Sequence, residues 1–190
     1  MDATVVMLGP PGSGKGTQAA RLRDRLGYEV LSTGELLRRA RAAVTELGRR
    51  AAEYMDRGDL VPDELVVAVI GDAIDSVDER PIIFDGFPRT IVQARALDRA
   101  LARRGRRVDC AILIDVPDDE VERRILNRHQ GRSDDTRETA RERLRVYHRQ
   151  TEPLAAYFEQ RALLRRVDGA RAADSIEDEI RATLTRTGAQ

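Results

Sequence analysis

The stretch TVVMLGPPGSGKGTQAARLRDRL, residues 4–26, restricts the fold more than any other part of the chain. A short apolar run leads into a loop of glycine and proline, and a helical pattern follows at once. Glycines let backbone N–H groups converge on phosphate oxygens, and the N-terminus of the following helix adds its partial positive charge. An ordinary glycine-rich turn is the plainer reading, but the flanking strand and helix favour a phosphate-binding loop. The usual pattern, G-x-x-x-x-G-K-[ST], places a hydroxyl directly after the lysine to help hold magnesium. Here Gly16 follows Lys15, and Thr17 comes one place late. Magnesium would then be held by phosphate oxygens, waters and a carboxylate, for which Asp85 at the end of PIIFD is the natural partner, through water. Lys15 is also the only lysine among 33 basic residues; all the others are arginine. An ammonium is a compact charge that can follow a phosphoryl group between oxygens, whereas a planar guanidinium would not fit a loop that wraps phosphate closely.

The rest of the chain repeats the alternation. TVVML (4–8), YEVLS (28–32), PIIFD (81–85), CAILIDV (110–116) and LLRRV (163–167) read as strands. Nearly continuous apolar runs imply a sheet covered on both faces, hence parallel. In PDELVVAVIGDAIDS, residues Leu65, Val66, Val69, Ile70, Ala73 and Ile74 form one helical stripe, with Pro62 placed to open the helix. Residues 90–104, 136–150 and 174–186 also read as helical. The expectation is an α/β doubly wound fold. Residues 32–61, read as two short polar helices, and the charged break 128–135 fall outside the alternation and read as insertions.

At 190 residues the chain suits one domain, and its 33 acidic and 33 basic residues cancel. A general nucleic-acid or membrane-surface binder would show a basic excess, so neither partner is expected. Asp2 and the lack of a basic start do not read as a secretory leader, and no apolar run approaches a membrane span. The single cysteine, Cys110, sits in an apolar strand run and reads as a buried thiol. With one Cys and two His, structural zinc is not expected, and a cytoplasmic location is.

Further motifs stand in a fixed order: STGELLR (32–38), GDLVP (58–62), DGFPRT with Gln93 (85–93), DVP (115–117), and RSDD (132–135) followed by Arg143. Together with GPPGSGKGTQ they resemble the adenylate kinases among the nucleoside monophosphate kinases. The resemblance implies the reaction ATP + AMP ⇌ 2 ADP on a P-loop NTPase-like core with a five-stranded parallel sheet. It divides the single domain into a core (1–31, 62–127, 136–190), a nucleotide-monophosphate-binding insertion (32–61) and a short lid (128–135), and implies a monomer. The lid lacks the four cysteines by which some members bind zinc, so magnesium entering with ATP is the only metal expected.

The same resemblance assigns residues. Gly12, Ser13, Gly14, Lys15, Gly16 and Thr17 would hold ATP together with Arg124 and Arg128. Thr33 would lie near the AMP base and Arg38 at its phosphate. Asp59, Leu60 and Val61 would line the AMP pocket, and Gly86, Phe87, Pro88, Arg89 and Gln93 would close it. Arg89 would meet phosphate, and the Gln93 amide would read adenine's edge, matching its adjacent donor and acceptor. Arg132 and Arg143 would converge with Arg128 on the transferring phosphate, with Asp115, Asp134 and Asp135 orienting these arginines. Ser32 or Thr33 also reads as a helix cap with Glu35 in the first turn, Phe87 as exposed before a turn at Pro88, and either histidine as a surface residue. Two other readings are a UMP/CMP kinase of the same fold, against which Thr33 and Gln93 argue, and a non-catalytic nucleotide binder, which would not need Lys15, Asp85 and the arginine set.

Overall fold

A computed structural model describes residues 3–77, 79–127 and 137–188. The 128–135 segment, with Arg128, His129, Arg132, Asp134 and Asp135, lies outside the described residues. Five strands form one parallel sheet: Thr4–Leu8 (β1), Glu29–Ser32 (β2), Ile82–Asp85 (β3), Cys110–Asp115 (β4) and Leu164–Asp168 (β5). Their order is β2-β3-β1-β4-β5. This is the expected α/β architecture, with each strand within a residue or so of its sequence assignment.

Every residue of β1 is buried, because helices cover the sheet on both sides and leave no wet face. The pleat sorts side chains strictly. Val6, Leu8, Ile82, Phe84, Ala111 and Leu113 enter one core with residues of Asp63–Asp75 (α4), Ile91–Ala102 (α5) and Pro153–Glu159 (α8). Val5, Met7, Ile83, Cys110, Ile112 and Ile114 enter the other, against residues of Lys15–Leu26 (α1), Asp118–Leu126 (α6), Arg137–Val146 (α7) and Ala173–Thr187 (α9). Fully burying each large aliphatic or aromatic side chain contributes roughly 1.5–3 kcal/mol. Cys110 is a buried strand thiol as expected, and burial pushes its pKa up to about 11. Edge strand β5 instead exposes Arg165 and Arg166, charges that discourage pairing with another strand.

From β1 the chain passes to the β2 edge, returns to β3, and then crosses β1 to reach β4. The direction of winding therefore reverses beside β1, and the carboxyl ends of the central strands open into a crevice there. After β2 the chain forms Thr33–Ala42 (α2) and Glu46–Arg57 (α3), which pack on each other before α4 begins. Pro62 stands just before the first residue of α4.

Residues 136–150 are not one helix. α7 ends at Val146, and Tyr147–Thr151 forms a π-helical turn whose Glu152 N–H donates to the Tyr147 carbonyl at 2.9 Å. Pro153, the first residue of α8, has no N–H with which to continue an α-helical ladder. The wider π register carries the chain past that missing donor.

Candidate active site

The phosphate loop links β1 to α1 at the crevice. Gly14 caps α1 at φ 98°, a left-handed conformation that glycine adopts without strain. The first turn of α1 contains no acidic residue, so the positive end of the helix is left for an external anion. Lys15 Nζ donates to the Gly9 carbonyl at 2.7 Å, to the Pro10 carbonyl at 2.8 Å and to Ser13 Oγ at 3.3 Å. The ammonium is thus held over the loop, and Ser13 is buried beneath it. A Cβ on Gly12 would lie 3.1 Å from Ile125 Cγ1, so the loop rests directly on α6.

The glycine after the lysine has a counterpart across the crevice. A Cβ on Gly16 would stand 3.4 Å from Asp85 Oδ2, at the end of β3. The Ser32 hydroxyl donates to the same carboxylate oxygen at 3.3 Å. Where the usual loop supplies a hydroxyl, this chain has no side chain and a carboxylate stands opposite. That donor set fits a hydrated magnesium ion carried on a polyphosphate, with Asp85 meeting its waters.

One cavity of about 550 Å³ runs from this loop into the α2–α3 region. Gly12, Gly14, Lys15, Gly16, Thr17 and Asp85 line one end of it. Thr33, Arg38, Asp59, Leu60 and Val61 line the other. Gly86, Pro88, Arg89, Gln93 and Arg143 reach it as well. Three described residues expected in the site, Ser13, Phe87 and Arg124, do not line it, and Ser13 is buried within the loop. Phe87 is buried and packs on Phe84 with ring centroids 6.2 Å apart, so its expected exposure is corrected. Glycine and proline on either side in DGFPRT hid a core residue. Arg124 donates to Glu120 Oε1 at 2.6 Å and to the Gly169 carbonyl at 2.9 Å, behind the phosphate loop.

The end of the cavity toward α2 and α3 is assembled by hydroxyls and guanidiniums that cross between elements. Thr33 Oγ1 donates to the Gly86 carbonyl at 2.8 Å, and Arg89 Nε donates to the same oxygen at 2.8 Å. Ser32 holds the cap position of α2 but makes no side-chain capping bond. The expected cap position and first-turn Glu35 are found, but neither hydroxyl makes a capping bond, because both serve residues 85–86 instead. The Arg38 guanidinium folds over Gly34, its Nη1 lying 3.1 Å from where a Cβ would stand. Arg143 Cγ would lie 3.3 Å from a Cβ on Gly58. The pKa of Arg89 is lowered, first because protein encloses it although the guanidinium is open to the cavity. Asp85 opposes that shift, while Arg143 and Arg38 add to it by repulsion. An anion among these three arginines would offset their mutual repulsion.

Three contributors gave little signal in the sequence. Asp63 accepts from Gln93 Nε2 at 2.8 Å, across 30 residues of chain. Thr151, from the π turn, donates to the Arg89 carbonyl at 3.0 Å and lines the cavity. Tyr147 lines it too, and burial, reinforced by Glu152 and Asp115, pushes its phenol up to about 12, so it stays protonated. Asp63 and Thr151 stand in motifs, PDEL and TEPL, that also read simply as helix starts.

A parallel sheet that reverses its winding beside a glycine loop, with arginines facing that loop across the crevice, defines a P-loop phosphotransferase. A family model described as adenylate kinase matches residues 7–163. The chain is 52% identical over 182 residues to an adenylate kinase of Thermus thermophilus, covering 95% of this chain and 96% of that one. It is 46% identical over 183 residues to one of Maricaulis maris, covering 95% and 97%. With an adenylate kinase of Archaeoglobus fulgidus it shares 40% identity over 212 residues, covering 96% and 98%. That alignment is longer than this chain of 190 residues, so the archaeal relative carries residues that are absent here. The chain belongs to the adenylate kinase family.

Proposed function

We propose that the protein transfers the terminal phosphoryl group of magnesium-bound ATP reversibly to AMP, giving two ADP. The observation that carries this reading is one continuous cavity with the phosphate loop at one end and Arg38, Arg89 and Arg143 at the other. A binder of one nucleotide needs cations around one polyphosphate. A transferase needs them on both sides of the group that moves. In this reading the backbone of residues 12–17 and Lys15 hold ATP, with Arg124 and Arg128 on the donor side. Thr33 and Gln93 receive the adenine of AMP, Asp59–Val61 and Gly86–Pro88 line its pocket, and Arg38 and Arg89 take its phosphate. Residues 32–61 form the AMP-binding insertion, and 128–135 a short lid that brings Arg128 and Arg132 to join Arg143.

The chemistry asks for no general base. The attacking group is a phosphate of AMP, largely dianionic at neutral pH because its second pKa is about 6. The obstacle is bringing two polyanions into line, so positive charge and alignment carry the catalysis. Lys15 would exchange the Gly9 and Pro10 carbonyls for phosphate oxygens, and its small head allows it to follow the moving group. Asp85 would meet the waters of the magnesium that ATP brings, which offsets charge on the phosphates. Closing the cavity would keep water from competing with AMP as acceptor. A coupled assay of ADP formation from ATP with AMP, CMP, UMP or GMP tests the proposal. AMP should be strongly preferred, and equal turnover of CMP and AMP would overturn it.

A further inference from the structure

Gln93 is almost wholly buried, at 1% exposure, yet its amide reaches the cavity. A buried amide can sit in either of two orientations that swap oxygen for nitrogen, and only its hydrogen-bond partners decide between them. Here both partners have a fixed sense. The Arg89 backbone N–H, which can only donate, lies 2.7 Å from Gln93 Oε1. The Asp63 carboxylate, which when ionised can only accept, lies 2.8 Å from Gln93 Nε2. Asp63 is itself anchored, since Thr90 Oγ1 donates to its other oxygen at 3.1 Å. That hydroxyl in turn accepts the Gln93 backbone N–H at 3.1 Å, so the carboxylate and the glutamine share one support at the start of α5. Rotating the amide would set N–H against N–H at Arg89 and oxygen against carboxylate at Asp63. Both contacts are repulsive in a buried setting.

We infer that Asp63, which does not line the cavity, is a positioning residue that locks the Gln93 amide in the orientation suited to a 6-aminopurine and against a 6-oxopurine. The locked amide keeps one N–H and one oxygen lone pair for a ligand. Adenine offers an amino donor beside a ring acceptor, which is the complementary pair. Hypoxanthine offers a carbonyl acceptor beside a ring N–H, and so presents the reverse. A freely rotating amide would serve both bases; a locked one serves the first. The inference rests on the proposed reading that Gln93 meets the acceptor base.

The test compares AMP with IMP, which differ only at that edge, by the ratio of their kcat/KM values at saturating ATP. Wild type, Asp63→Ala, Asp63→Asn and Gln93→Leu are measured together with their melting temperatures and KM for ATP. Gln93→Leu separates the two readings: if it leaves the AMP/IMP ratio unchanged, Gln93 does not read the base and the underlying assignment fails. If it collapses the ratio, the Asp63 variants judge the positioning role. Asp63→Ala should lower the ratio by about tenfold, chiefly through KM for the monophosphates, with KM for ATP unchanged. Asp63→Asn retains an oxygen for Gln93 Nε2 and should keep the ratio within about threefold of wild type. A purely structural role, such as an acidic charge at the start of α4, predicts instead that Asn and Ala lose stability together and that neither moves the ratio. An unmoved ratio in Asp63→Ala, or an Asn variant that discriminates no better than Ala, would overturn the inference.

Discussion

The two ends of the cavity are built from different materials. The donor end is mostly backbone: a glycine loop, a helix terminus with no acid in its first turn, and one ammonium resting on loop carbonyls. The acceptor end is mostly side chain. Thr33 reaches from α2 to the Gly86 carbonyl, Thr151 from the π turn to Arg89, and Asp63 from α4 to Gln93. Backbone N–H groups recognise phosphate whatever base it carries. Reading a base requires a donor and an acceptor held in fixed places, and in the proposed reading these are held through contacts between elements far apart in sequence. Generic affinity can be written into one short segment, whereas selectivity has to be assembled from several.

The sharpest way to break this comparison is at the donor end. Lys15→Arg keeps the charge and replaces a compact head with a broad one, where two carbonyls already approach within 2.8 Å. We expect kcat to fall by more than about tenfold, and toward a hundredfold, with little change in melting temperature. Near-wild-type turnover would show that the donor end reads charge and not shape. At the acceptor end, Thr33→Ala combined with Gln93→Asn removes a bond to Gly86 and draws the amide back from Arg89 and Asp63. KM for AMP should rise roughly tenfold with KM for ATP nearly unchanged. If both rose in parallel, the division of labour drawn above would be wrong.

The smallest expected effect lies outside both ends. His148, in the π turn, has ring nitrogens 3.1 Å from Glu152 and 3.0 Å from Asp118 of α6. Partial burial works to lower its pKa, but the hydrogen bonds and charges of Glu152 and Asp118 outweigh it, and the net shift is upward from 6.5. A pKa raised on folding contributes stability that is complete below the unfolded value and is lost as pH rises through the folded one. His148→Gln should therefore lower the melting temperature by roughly one or two degrees near pH 5.5, and by less near pH 8.5. A deficit that grew with pH would reverse the sign assigned to this cluster.

The same contrast explains what the sequence made legible. The strand–loop–helix passage could be read directly because its chemistry lies within one stretch, and the parallel sheet because buried strands are apolar throughout. The Asp63–Gln93 bond could not, since nothing in PDEL states that its carboxylate faces an amide 30 residues on. Thr33 looked like a cap because its local context is that of a helix start, while its partner, the Gly86 carbonyl, lies just beyond β3. Phe87 looked exposed because its neighbours are glycine and proline, yet it is 1% exposed in the core. The π turn escaped because Pro153 changes the hydrogen-bond register without changing the apolar pattern ahead of it.

The arginine bias has a practical corollary. Amine-directed reagents do not acylate a guanidinium under conditions that modify a lysine, because the guanidinium stays protonated where a fraction of the lysine is free amine. A chain of 190 residues with one lysine therefore offers such reagents a single side-chain target, and that target is the head group resting on the Gly9 and Pro10 carbonyls. Acylating Lys15 would cap the loop with a neutral group. Protection of that amine by nucleotide, followed as the added mass on the peptide that contains Lys15 and so told apart from the α-amine, would report occupancy of the donor end without recourse to turnover. The composition has in effect written a covalent footprint of one residue into the protein.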